Sequence, residues 1–194
     1  MTWNGRAAGA LLGVVAVLSL FVVVSLLPGR AEAPQAAAPV DPIELEPAPG
    51  DLIARCGDDG GSGVAQDRTF AYCLSEESIV LADALQSWTA GSLDGSPTVA
   101  LTFIDGPTGI DLVNDLAPSC LARSPDRCPT GQVAVVFGRA VLSAPTIAAP
   151  SFAPDQIVVA NPLSTDRMIP SDVFPDAVAQ STLHPVLWTA PLDG

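Results

Sequence analysis

Residues 7–27 read AAGALLGVVAVLSLFVVVSLL, an apolar run without a single charge. At ~1.5 Å per residue such a run forms a helix about 31 Å long, against a hydrocarbon core of ~30 Å. Its Leu, Val and Phe residues each favour insertion by ~0.3–0.6 kcal/mol, summing to roughly −6 kcal/mol, which outweighs the Ala, Gly and Ser between them. A cleaved leader is the competing reading, but its apolar region is normally only ~7–15 residues long. Ala31-Glu32-Ala33 and Ala36-Ala37-Ala38 resemble cleavage sites, yet Pro34 and Pro39 follow them, and no Cys is placed to carry a lipid. Residues 1–28 are therefore read as an uncleaved transmembrane anchor, with membrane contact through 7–27.

Arg6 and Arg30 flank the run almost symmetrically, so loop charge barely sets its orientation. The cysteines decide more. Cys56, Cys73, Cys120 and Cys128 all follow the anchor and suit an oxidising compartment. The expected protein is single-pass in the cell membrane, with an extracytoplasmic C-terminal domain. Gly5, Gly9 and Gly13 repeat the spacing that lets two membrane helices approach closely, as a homodimer through Gly9 and Gly13 would require. Ordinary glycine usage in membrane helices produces the same letters. No ionisable residue lies within the run, so it can neither relay protons nor sense voltage.

The formal net charge is −13 and the basic residues are all Arg, with no cluster among them. Phosphate neutralisation needs such a cluster, so nucleic acid is excluded as a partner. Residues 29–50 are rich in Pro and Ala and are read as an extended, semi-rigid linker holding the next domain clear of the membrane. Residues 51–194 are the one candidate domain.

Within it, Leu52–Cys56 and Thr69–Leu74 flank the loop GDDGGSGVAQDR and read as strand–loop–strand, with Cys56 and Cys73 at paired positions. Asp58, Asp59 and Asp67 raise a calcium loop, but their spacing does not match alternating acidic ligands. Ser75 can cap a helix running to about Ala90, with Glu76 and Glu77 at its positive end and Leu81, Leu85 and Trp88 on one face. Trp88 is read as a core residue rather than a ligand platform. Val99, Leu101 and Phe103 alternate along a strand, Pro97–Ile104. Thr108 and Asp111 have capping-box-like spacing before a second helix, which Pro118 should end or kink. Gln132–Phe137 and Ala140–Ser143 form a hairpin about Gly138-Arg139, Pro145 ends its second strand, and Gln156–Ala160 adds another. The fold class is α+β: a small antiparallel sheet with helices on one face, behind one N-terminal transmembrane helix.

Four cysteines allow three pairings. Cys56–Cys73 and Cys120–Cys128 are favoured because each closes a local loop. Metal ligation is the alternative, but the His and Cys spacing fits no zinc pattern.

The run AVVFGRAVLSAPTI at 134–147, followed by FAPDQIVV at 152–159, is the most specific text in the chain. It resembles the head subdomain of the first periplasmic region of SecD/SecDF, whose run is A-I-V-L-D-G-x-V-x-S-A-P-x-I. Ala134, Val136, Val141, Ser143, Ala144, Pro145 and Ile147 match it. The likeness covers about 75–160, and the cysteine-flanked CPTGQ at 128–132 looks like the single-pass, membrane-anchored actinobacterial relatives of that head. Gly138-Arg139 replaces the family's Asp-Gly turn. The family's C-terminal helix is interrupted here by five prolines, leaving Asp176–Leu183 as its best remnant. The resemblance implies contact with exported polypeptide; the family's proton-driven motor is not expected, because the single apolar run 7–27 has no ionisable residue.

Chemistry is weakly encoded. His184 is the only histidine, and no Gly-x-Ser-x-Gly elbow or phosphate-cradling loop is present. Ser143, at the hairpin exit, is explained by packing or backbone bonding. The expected function is a non-enzymatic binding or accessory module that needs no cofactor and contacts a protein, an extended peptide or another envelope protein. The alternative is a cell-envelope hydrolase using His184 as base.

Overall fold

The computed structural model describes residues 37–41, 43, 45–160, 169, 170 and 172–192. The apolar run 7–27, including Gly9 and Gly13, lies outside these residues. Among those described, no helix is long and apolar enough to cross a membrane.

The chain forms α1 (Gly50–Asp58), β1 (Gly63–Gln66), β2 (Phe70–Leu74), β3 (Ile79–Val80), α2 (Leu81–Ala84), β4 (Leu85–Leu93), β5 (Ser96–Phe103), α3 (Ile110–Leu121), β6 (Val133–Phe137), β7 (Ala140–Ser143), β8 (Ile157–Ala160), α4 (Phe174–Ala179) and β9 (Thr182–Pro191). Helices and strands are mixed, as expected, but one open antiparallel sheet is not what they build. The order β2-β1-β7-β6-β9, with a further β2–β9 pairing, closes a five-strand barrel to which β3 is attached. A separate antiparallel sheet runs β4-β5-β8. Five strands in a ring cannot all alternate in direction. The necessary parallel contact falls between β1 and β7, where Gln66 pairs with Ala140.

Period-2 alternation then sorts the hairpin residues. Ala134 and Val136 of β6, Val141 of β7 and Val186 of β9 cluster with Ala65, Tyr72 and Leu74 inside the barrel. Val133, Val135, Phe137, Ala140 and Leu142 face the larger core, made with β5, α3 and α4. Strand β6 is buried on both faces, which accounts for its unbroken apolar run. Gly138 has φ 62°, as the first central position of a mirror-type two-residue turn requires.

Several expectations are corrected. Leu52–Cys56 is helical, so the Cys56–Cys73 bridge ties a helix to a strand, and β1 is the true hairpin partner of β2. The helix expected over 75–90 shrinks to the single turn α2. Asp94 and Gly95, with φ of 51° and 82°, instead form a tight hairpin turn that pairs β4 with β5 from Leu93↔Ser96 to Leu85↔Phe103. That turn chemistry overrides the helical spacing of Leu81, Leu85 and Trp88. Trp88 does pack against the core. Helix α3 continues past Pro118 to Leu121, held by buried Leu116, Ala117 and Cys120 on either side.

The C-terminal region departs furthest. Among its described residues only Phe174–Ala179 is helical, and the stretch after it becomes β9, a wall of the barrel. Pro185 is tolerated there because Val186 donates its N–H to Gln132 on the β6 side. Alternation turns the nitrogen of Pro185 the other way, into the gap between β2 and β3, where its carbonyl accepts from Ser75. The linker is also partly bound rather than free. Val40, Ile43 and Leu45 pack on the core, and Gln180 donates to the Ala38 carbonyl at 2.6 Å.

Tyr72 gives a direct test of the barrel. Its hydroxyl donates to Asp67 at 2.8 Å. Burial first, then that hydrogen bond and the carboxylate's charge, push the phenol well above its ordinary value. An unfolded tyrosine loses its proton near pH 10, whereas the folded one keeps it, so folding stability should fall above that pH. The expected slope approaches about 1.4 kcal/mol per unit. Tyr72 is the only tyrosine and the chain has no Lys. Phenolate absorbance should therefore rise only as the protein unfolds, and Tyr72→Phe should remove that slope.

Candidate functional site

The inner face of β5 and β8 does not close completely on the rest of the core. Leu101 and Val159 from that sheet, Val113, Leu116 and Ala117 from α3, and Val133 and Val135 from β6 surround a cavity of about 220 Å³. Its rim is the segment after β7, with Pro145, Thr146, Ile147, Ala148 and Phe152. Of sixteen lining residues only Thr146 and Gln156 carry polar side chains and none is charged, so the space favours an apolar group.

Side chains hold this rim in place. Asn114 on α3 donates to the Phe152 carbonyl at 3.1 Å and accepts from its N–H at 2.7 Å. Gln156 accepts from the Ala153 N–H, and Gln132 donates to the Ala144 carbonyl. Helix α3 is seated by Gly109, where an added Cβ would overlap the Ile104 carbonyl. Asn114→Ala removes both bonds to Phe152 and is expected to cost about 1–2 kcal/mol. Hydrogen exchange of the Phe152 amide should accelerate about tenfold or more relative to the wild-type chain.

Strand β8 forms one side of the cavity and pairs only with β5 among the described residues. In an antiparallel pair, alternate residues turn their N–H and C=O away from the partner. The outer edge of β8 therefore presents backbone donors and acceptors beside the cavity, next to exposed Val158.

The motif residues divide between these two parts. Ala134, Val136 and Val141 fill the barrel, with Ala144 packed against them. Ser143 ends β7 opposite Val135. Pro145 and Ile147 reach the cavity rim. Both disulfides form, Cys56–Cys73 and Cys120–Cys128.

Comparison with known proteins finds no match: no family model, no curated protein and no solved structure is similar to this chain.

His184 lies on β9, half-buried, and lines neither the apolar cavity nor the polar cleft described below. Its Nδ1 is 3.1 Å from the Ser75 carbonyl and its Nε2 is 3.0 Å from the Thr182 hydroxyl. A carbonyl only accepts, so Nδ1 donates to Ser75, while the Thr182 hydroxyl beside Nε2 also reaches the Val136 carbonyl at 3.4 Å. The ring's partners are thus a main-chain oxygen and a hydroxyl, with neither the Ser side chain nor the Asp of a triad. The aspartates of the acidic loop are also dispersed. Asp58 ends α1, and Asp67 accepts from the N–H groups of Thr69 and Phe70 in a turn. Among the described residues no group of three or more His, Cys, Asp or Glu is arranged to hold a metal.

A second, polar cleft of about 550 Å³ lies where α1, β9 and the loop inside the Cys120–Cys128 bridge meet. There the Arg55 guanidinium stacks over Trp188 at 5.1 Å. The cleft, Asn114 and the β8 edge all escape sequence reasoning, because each depends on contacts between distant segments. The one local signal that could have indicated the sheet to which β8 adds is Asp94-Gly95, the tight turn that pairs β4 with β5.

Proposed function

We propose that the chain is a membrane-anchored, extracytoplasmic binding module without catalytic chemistry of its own, and that it grips an extended polypeptide along β8. The observation that carries this reading is the apolar cavity beside a strand edge with outward backbone groups. An added strand would gain main-chain hydrogen bonds from the edge and selectivity from a side chain entering the cavity. β8 is four residues long, or about 13 Å at ~3.3 Å per residue, so contact would be brief and local. The likeness of residues 134–147 to the SecD/SecDF head supports the same class of partner, and the apolar run 7–27 supports the anchor.

The reading is tested by photo-crosslinking in cells. A crosslinker at Val158, which is 55% exposed on β8, should capture polypeptide. One at Leu93, similarly exposed at the β4–β5 turn, should not. Ala148→Trp, which plugs the cavity mouth from an exposed position, should abolish the Val158 adduct. Equal capture from both positions, or capture unaffected by the plug, would overturn it.

A further inference from the structure

Resting on the polypeptide reading of β8, we infer that the segment it takes is cationic and carries one bulky aliphatic or aromatic anchor residue between Arg or Lys flanks. The cavity sets the size of the anchor. At about 220 Å³ it exceeds the ~150 Å³ that holds one benzene ring, but it falls below the ~300 Å³ at which sites for whole small molecules begin. One Leu, Met or Phe side chain fits, whereas an acyl chain with its headgroup does not.

The surroundings set the charge. No charged side chain lines the cavity, so the anchor itself must be neutral. Around it the surface is acidic. Exposed Asp155 lies two residues before Ile157, where β8 begins. The Phe103 N–H donates to the Pro154 carbonyl at 2.9 Å, which brings the end of β5, and exposed Asp105 just beyond it, alongside. Exposed Asp111 opens α3. Residues 51–194 hold seventeen Asp and Glu against six Arg. Of those arginines, Arg127 is occupied by Glu77 and Asp115, and Arg55 by Asp59. An acidic segment would be repelled by this field and a basic one drawn to it. If the segment adds antiparallel, the commoner arrangement, its C-terminal flank lies beside Asp155.

The test uses the full chain in nanodiscs of neutral lipid and short fluorescent peptides that alternate Leu with Thr. One peptide is flanked by Arg, a second by Glu, and a third keeps Arg but has Ser for every Leu. Anisotropy at low salt should show the Arg-flanked peptide binding at least about tenfold tighter than the Glu-flanked one, with the gap closing near 1 M salt. Replacing Leu by Ser should cost about tenfold to a hundredfold. Ala148→Trp and backbone N-methylation of the peptide should each abolish binding. Equal binding of the Arg and Glu peptides, both lost with Ala148→Trp, would overturn the cationic inference and leave the polypeptide reading standing. Equal binding of the Ser peptide would overturn the anchor. No binding, or binding that ignores Ala148→Trp, would overturn both the inference and the reading beneath it.

Discussion

Reducing both disulfides is expected to lower the stability of the folded domain by about 5 kcal/mol. The Cys56–Cys73 bridge spans 17 residues and Cys120–Cys128 spans 8. Loop-closure entropy assigns them about 3 and about 2.5 kcal/mol, mainly by restricting the unfolded chain. The native contacts add to this. Cys56 and Cys73 are fully buried, and the first bridge seats α1 against the barrel. The second fastens the last turn of α3, which lines the cavity, to the loop carrying Arg127. That guanidinium pairs with Glu77 and Asp115, so loosening the loop also loosens an ion-pair network. Single domains are stable by about 5–15 kcal/mol in total, so the reduced protein should sit near its unfolding threshold. Urea denaturation with and without reductant measures this. Replacing only Cys120 and Cys128 by Ser should give the smaller share. A midpoint unchanged by reductant would mean that the bridges do not form.

Phe174→Ala is expected to cost about 3–5 kcal/mol, the largest effect of any single core substitution considered. Phe174 has no exposed surface and opens α4 within the large core, beside Ala177 and Val178. Its N–H is bonded to the Pro170 carbonyl, so the backbone cannot easily collapse into the space left behind. Leu93→Ala is the control, because Leu93 is more than half exposed and should change stability by no more than about 0.5 kcal/mol. Comparable losses at the two positions would contradict the placement of α4 in the core.

Phe174 also shows where the sequence stops being legible. The hairpin β6–β7, the inward face of β5, the helix after Gly109 and both cysteine pairings follow from local rules: period-2 alternation, a glycine at positive φ, and short loops between cysteines. Residues 180–191 obey no local rule that a reader could use. Their prolines argue against both helix and strand, and only the gap between β2 and β3 makes Pro185 acceptable in a barrel wall. Closure of the barrel is likewise invisible, since the β1–β7 contact rests on one residue pair far apart in the chain. The helix expected over 75–90 failed for the opposite reason. A plausible periodicity was present, but the Asp94-Gly95 turn outranked it. The candidate site inherits this division. Its rim residues Pro145 and Ile147 belong to the most specific run in the sequence, whereas Asn114, which fixes that rim, carries no signal at all.

In the proposed reading the barrel and the cavity have different roles. The closed barrel, stapled by Cys56–Cys73, leaves few edges, and among the described residues β8 pairs on one side only, beside an apolar hole. Hydrogen exchange on the full chain, with and without the Arg-flanked Leu–Thr peptide, tests this most directly. Slower exchange at Ile157–Ala160 and in the rim around Phe152, with the barrel strands unchanged, is the predicted result. Protection absent from β8, or appearing instead along β4 or in the Arg55–Trp188 cleft, would contradict it.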